Sequence, residues 1–215
     1  MTILGRHPEP PVWLYNLMAR GPLAHRIYRR LVADLAAGLP PGAKVLDVGT
    51  GPGYLLGYLG RERPDLDLWG LDLDYRMIRL ARRKKHAPGS TAQWLVGDAL
   101  ALPFGDAVFD QVVASLSLHI WPQRQRGLKE LRRILKPGGR AWVYELKRES
   151  AAGDLRAFAR EEQLPFPLVY LGFRAVSWGH SLRAADFARA LGQAGEEGWR
   201  LDTVHHLFWR GELLG

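Results

Sequence analysis

Cysteine is absent from the 215 residues, which removes disulfides, thiolate metal sites and cysteine nucleophiles from consideration. Also missing is any apolar run near the roughly 20 residues needed to span a bilayer. The opening MTILGRHPEPPVW lacks the uninterrupted apolar core of a secretory signal, so a cytoplasmic location is expected. No Gly-Lys-Ser/Thr follows a glycine loop, which excludes a Walker phosphate site. No basic tail, aromatic–basic repeat, zinc-finger spacing, internal repeat or low-complexity linker occurs. The chain reads as one domain over 1–215 without the usual signatures of a nucleic-acid module.

What is present suits a globular fold. Hydrophobic residues make up 47% of the chain, enough for a substantial core. The net charge of +8, from 30 Lys+Arg against 22 Asp+Glu, would attract RNA, anionic lipid or an acidic substrate. These cations are spread over several predicted helices, notably 76–85 and 123–136, whose basic residues are expected to face solvent.

Patterning gives an alternating order. Helix is expected over 12–37, in two pieces broken near Gly21-Pro22, and residues 1–43 form an N-terminal helical cap. Strands follow at 44–48, 66–71, 93–96, 108–114 and 140–146, separated by helices at 53–61, 75–85 and 123–136, the last stopped by Lys136-Pro137-Gly138-Gly139. Strands alternating with helices imply βαβ crossovers and a mostly parallel sheet. Residues 150–180 interrupt that rhythm with Pro165, Pro167 and the aromatic-rich LVYLGFRAVSW. They are expected to form a lid or substrate-pocket insertion. Helix 183–194 and one or two terminal strands complete the chain.

The glycine turn Asp47-Val48-Gly49-Thr50-Gly51-Pro52-Gly53 lies where the first buried strand gives way to a helix. Glycine there permits close backbone approach to a ligand, and amides at a helix start can hold a polar group. A dinucleotide fingerprint needs glycine where Tyr54 stands. Asp72 closes the second strand, where a carboxylate can accept two ribose hydroxyls. Asp98 follows the third, within reach of an adenine amino group. All three acids emerge at carboxyl ends of strands, the crevice where open parallel sheets bind ligands.

Four segments, VLDVGTGPGYL, GLDLDYRMIRLAR, GDALALPFGDAVFDQVVASLSLHIW and LKELRRILKPGGRAWVYEL, occur in that order over roughly residues 44–146. Together they resemble the class I S-adenosylmethionine-dependent methyltransferases, especially the small-molecule group that includes quinone-biosynthesis enzymes. The resemblance implies a Rossmann-like α/β fold with a mostly parallel central sheet, an antiparallel terminal strand and flanking helices. It implies S-adenosyl-L-methionine as cofactor. Asp47 and the loop of Gly49, Thr50, Gly51 and Gly53 would surround its methionine part. Asp72 would hold the ribose and Leu73 would lie beside the adenine. Asp98 would meet the adenine amino group, with Ala99 adding a backbone contact. Ser115 to His119 would form the rim facing the methionine end and the acceptor.

Methyl transfer needs an acceptor lone pair aligned behind the methyl carbon, and a base only where the acceptor must lose a proton. His119, after the apolar fourth strand, is the candidate base or acceptor-positioning group, since histidine exchanges protons near neutrality. Tyr15, Tyr28, Tyr144, Glu145 and His180 are further pocket candidates. His205-His206 carries no metal reading, because neighbours on an unbroken strand point to opposite faces. The expected acceptor is a small molecule. RNA or protein methylation, or noncatalytic binding of the cofactor, are the alternatives. The acceptor atom and the oligomeric state are open at this stage.

Overall fold

A computed structural model describes residues 21–84, 92–177, 181–193 and 198–215. Pro22 occupies the first turn of helix α1 (Pro22–Ala36), where its missing N–H leaves no hydrogen bond unmade. The expected break at Gly21-Pro22 is therefore a helix start, and the first piece of the N-terminal helical region lies outside the described residues.

Alternation then proceeds through β1 (Lys44–Val48), α2 (Tyr54–Glu62), β2 (Asp67–Asp72), α3 (Tyr75–Arg83), β3 (Ala92–Val96) and β4 (Phe109–Ser115). A short 3-10 turn (Leu118–Ile120) leads to α4 (Arg124–Arg133) and the long β5 (Leu135–Lys147). Next come α5 (Ala152–Glu161), α6 (Phe166–Ser177), β6 (Ser181–Leu182), α7 (Ala184–Gln193), β7 (Arg200–Val204) and β8 (Phe208–Leu214). The sheet runs β3-β2-β1-β4-β5-β8-β7, with β6 paired beside β5. The strand pairs from β3 to β5 are parallel, and β8 runs antiparallel to both β5 and β7. Between β1 and β4 the connections diverge, so the carboxyl ends of these strands border an open crevice.

Period-two alternation divides the core between the two sheet faces. Val45, Leu68, Val113 and Trp142 pack under α1, α2 and α3. Leu46, Val48, Val112, Ala114 and Val143 pack against α4 and α7. A third cluster joins α5 and α6 to the terminal strands through Leu155, Phe158, Val169, Phe173 and Phe208.

Three expectations change. Lys136-Pro137-Gly138-Gly139 does not end a helix reaching 136. The helix stops at Arg133, Leu135 already pairs with Phe109, and the Pro-Gly-Gly run is absorbed inside β5 with a register shift between Phe109 and Gln111. Pro167 does not break structure either. It is the second residue of α6, where its fixed φ fits a first turn. His205 and His206 lie in the tight turn between β7 and β8 rather than on a strand, with φ of 51° and 63°. Each pairs with a carboxylate on a different helix, Asp34 for His205 and Glu161 for His206.

Gly53 shows why one loop position must be glycine. Its φ is +75°, and a Cβ built there would lie 2.5 Å from Trp94 Cη2 and 3.1 Å from Ala81 Cβ. Left-handed strain and displacement of a packed indole add, so Gly53→Ala is expected to destabilise the protein by about 2–4 kcal/mol. Urea denaturation measures this directly, and a loss below about 1 kcal/mol would mean that the indole moves freely.

Candidate functional site

The glycine turn is held from behind. The amides of Gly49 and Thr50 both donate to the Leu71 carbonyl, at 2.8 and 3.0 Å. The Gly51 amide donates to Asp72 Oδ2 at 2.8 Å, and the Gly53 amide donates to the Thr50 carbonyl at 3.0 Å. Lys84 reaches across to donate to the Pro52 carbonyl at 2.7 Å while its ammonium sits 3.0 Å from the centre of the Tyr54 ring. These four loop amides are thus spent inside the protein.

What the turn offers instead is a carboxylate. Asp47 is fully buried, and Thr50 Oγ1 donates to its Oδ2 at 2.7 Å. Its Oδ1 is also buried and has no hydrogen-bond partner among the described residues. Burial pushes the Asp47 carboxyl up to about 7; the Thr50 bond opposes that rise and the nearby Asp72 charge adds to it. A buried acceptor of this kind suits a ligand ammonium and repels phosphate.

Asp72 stands at the next strand end, its Oδ1 accepting from the Asp74 amide at 2.9 Å. Asp74 itself caps α3, accepting from the Arg76 amide at 2.8 Å. Leu73 is half exposed, as is Val96, which pairs in register with Asp72 on β3. Two bare aliphatic side chains at adjoining strand ends can sandwich a flat base, and Val96 escaped the sequence reading because nothing in its spacing marks it. Asp98 is exposed and accepts from the Leu100 amide at 2.9 Å, so the Asp98–Ala99 turn sits at the same edge.

The other side of the crevice is built by β4 and β5. Ser115 pairs with Tyr144, and the Leu116 amide donates to the Tyr144 carbonyl at 2.8 Å with Leu116 at φ 55°. Ser117, missed as a fixed contact, is buried and donates to the Val48 carbonyl at 3.0 Å. A Cβ on Gly49 would fall 2.5 Å from Ser117 Cβ, so the small residue at 49 makes room for this brace.

His119 and Glu145, read separately in the sequence, meet. The His119 amide donates to Glu145 Oε1 at 3.0 Å, and His119 Nδ1 lies 3.0 Å from Glu145 Oε2. Their side chains are 6% and 0% exposed. Arg124 donates to the Leu118 and His119 carbonyls, fixing the short turn from its other side. Tyr144 is not brought to this rim. Strand alternation turns it to the α1 face, where its phenol donates to Asp34 at 3.1 Å in a cluster with His205 and Arg210. Burial and the Asp34 charge push that phenol upward, out of acid–base use near neutrality. Tyr28 packs as a core residue between Tyr54 and Tyr58. Tyr15 and His180 lie outside the described residues.

The basic helices are partly internal scaffolding. Arg82 donates to the Trp94 carbonyl, and Arg133 binds Glu130, Asp106 and two carbonyls. Lys136 holds Asp110.

Comparison with known proteins gives the family. The family described as "Methyltransferase domain" matches residues 46–143. The uncharacterized methyltransferase YdaC of Bacillus subtilis is 30% identical over 126 residues, covering 58% of this chain and 68% of that protein. The demethylmenaquinone methyltransferase of Thermus thermophilus is 39% identical over 118 residues, covering 55% and 53%. That of Thermotoga maritima is 32% identical over 142 residues, covering 65% and 60%. The chain thus spans between half and two thirds of these two quinone-pathway relatives. Among solved structures, a candidate S-adenosyl-L-methionine-dependent methyltransferase from Methanococcus maripaludis superposes with a TM-score of 0.71 at 18% identity, covering 98% and 97%. A methyltransferase from Aquifex aeolicus gives 0.63 at 21%, covering 87% and 88%. By sequence and by fold, the chain belongs to the class I S-adenosylmethionine-dependent methyltransferases, related to those of quinone biosynthesis.

Proposed function

We propose that this chain methylates a small-molecule acceptor, of the quinol-precursor kind, using S-adenosylmethionine. The observation that carries the reading is the buried Oδ1 of Asp47 at the head of the glycine turn, without a hydrogen-bond partner among the described residues. The residues present fit the cofactor: Asp47 would accept from its ammonium, Asp72 from its ribose hydroxyls, and Leu73 would cover its adenine edge near Asp98. When bound, the cofactor supplies an electrophilic methyl on a positively charged sulfur. The rest is done by the chain. Ser117 and the tethered turn hold the β1 and β4 ends together, the Ser115–His119 rim orients the acceptor, and the His119 imidazole takes the acceptor's proton. Glu145 holds the imidazole and its backbone in that orientation.

We assign residues 1–215 to one methyltransferase domain, with 1–43 as its helical cap and 150–180 as the lid over the acceptor. Leu116, on the rim, packs against the α5–α6 cluster, which supports that role. A quinol-type acceptor is supported by the Thermus and Thermotoga relatives, both demethylmenaquinone methyltransferases. RNA loses ground as the alternative because Arg82, Arg124, Arg133 and Lys136 are engaged within the chain. We place the reaction in the cytoplasm. Among the described residues no helix is long and apolar enough to cross a membrane.

The test is transfer of labelled methyl to a panel of naphthoquinols and phenols by intact protein. Label should enter one of them and be lost with Asp72→Ala. Tight binding of S-adenosylhomocysteine without transfer to any of them would sink the quinol reading.

A further inference from the structure

Helix α6 is apolar around almost its whole circumference. Val169 and Phe173 are buried in the α5–α6 cluster. The opposite arc is nevertheless apolar too: Leu168 is 42% exposed, Leu171 67%, and Ala175 is exposed as well. Their i, i+3, i+7 spacing lines them up on one face. A surface helix of a globular protein ordinarily turns charge outward, and a contiguous apolar face marks an interaction site.

The borders of this face have a definite chemistry. No acidic residue occurs from Gln163 to Ser177. Along one flank the Arg156 guanidinium lies 5.0 Å from the Phe166 ring, Phe166 lies 5.7 Å from Tyr170, and the Arg174 guanidinium lies 5.4 Å from Tyr170. The acids of α5 and its C-cap are already engaged, Glu161 by His206 and Arg30, Glu162 by Arg30, and Asp154 by Lys147. Aliphatic residues on one face, bordered by aromatic rings and guanidinium groups, match the boundary between lipid headgroups and acyl chains.

We propose that the outer face of α6 docks on an anionic phospholipid surface. Leu168, Leu171 and Ala175 enter the headgroup–acyl boundary, and Arg156 and Arg174 meet the lipid phosphates. The docking rests on the proposed function for its purpose, since it would bring the α5–α6 side of the crevice to an acceptor dissolved in the membrane.

The experiment is sedimentation of the full chain with vesicles, without acceptor or turnover. Vesicles of phosphatidylglycerol and phosphatidylcholine in equal parts should bind it at least tenfold more tightly than phosphatidylcholine alone, and less so as salt rises. Leu171→Asp and Arg174→Glu should each lower partitioning about tenfold. Both side chains are exposed, and unchanged melting temperature and S-adenosylhomocysteine affinity would establish that the variants fold. Absence of binding to the anionic vesicles overturns the proposal, as does binding that neither variant alters. Dimerisation abolished by Leu171→Asp, without vesicle binding, would give the face to a second copy and overturn it equally. Because no methyl transfer is measured, failure here leaves the proposed reaction standing, and failure of methyl transfer leaves the vesicle result interpretable.

Discussion

His119→Ala is expected to lower turnover by about 10²- to 10⁴-fold, the usual range for a positioned general base, while leaving cofactor affinity within a factor of about three. The geometry behind this is specific. With His119 Nδ1 donating to Glu145 at 3.0 Å, the lone pair of the neutral ring falls on Nε2. Glu145 also accepts from the His119 amide at 3.0 Å, so one buried carboxylate sets both ring and backbone. Glu145 is therefore a positioning residue. Glu145→Gln keeps its size and removes its charge, and the expected loss is about 10- to 100-fold, the worth of a charge-assisted hydrogen bond. A merely structural Glu145 would shift stability alone. A positioning one also changes the acid limb of the turnover–pH profile, and its effect vanishes in the His119→Ala background. Single-turnover kinetics with titrated S-adenosylhomocysteine separate these outcomes. Turnover within about threefold of normal in His119→Ala would remove the base assignment.

Asp47→Asn carries the second large effect, a loss of about 100-fold in cofactor affinity near pH 8. An ammonium facing a buried carboxylate loses its charged partner in this variant and gains a carboxamide that pairs less well. The pH dependence follows from the carboxyl value of about 7 in the folded chain against its ordinary 3.8. Between those limits the folded state holds a proton that the unfolded state has lost. Stability of the cofactor-free protein therefore falls as pH rises from about 4 to about 7. Binding of a cation favours the carboxylate. Below about pH 7 it must expel that proton, so affinity weakens by up to about tenfold per pH unit as pH falls. The Asp47→Asn variant has no proton to expel there, and its affinity should be flat over the same range. Calorimetric titration from about pH 5.5 to about pH 8.5, in buffers of different ionisation enthalpy, reads both the affinity and the proton count. A pH-independent affinity in the unmutated protein would refute the ammonium–Asp47 contact.

Much of this site was legible before any coordinates. Asp47, Asp72 and Asp98 could be set at strand ends because buried runs and glycine turns bracket each strand tightly, and β1 to β4 fall within a residue or so of their expected limits. What spacing cannot carry is partnership between distant strands. Glu145 and His119 are 26 residues apart, and only the parallel register of β4 on β5 brings Ser115 beside Tyr144 and so the next residues together. Nor does a glycine pattern reveal where its amides point. The loop reads as a place of close backbone approach, and only its geometry shows that the amides of Gly49, Thr50 and Gly51 are tied back to β2. Local propensity also misread Pro167 as punctuation, because a proline inside a first turn and a proline that ends a helix look alike without the preceding hydrogen bonds.

The placement of β8 between β5 and β7 has a consequence for how the molecule is made. β8 is the last of the described strands to be synthesised, yet it is an interior one, and β7 pairs with nothing but β8. While the ribosome is still adding residues beyond β7, the β5 edge stands open with Trp142, Val143 and Leu146 uncovered by the strand that later pairs with it. The nascent chain therefore passes through a stage in which the cofactor half of the sheet can assemble but its far edge is adhesive. Closing that edge requires a contact from residue 140 to residue 214, a separation approached among the strand pairs only by β1 on β4. Insertion of β8 is the step at which premature release or crowding would divert this chain into aggregation.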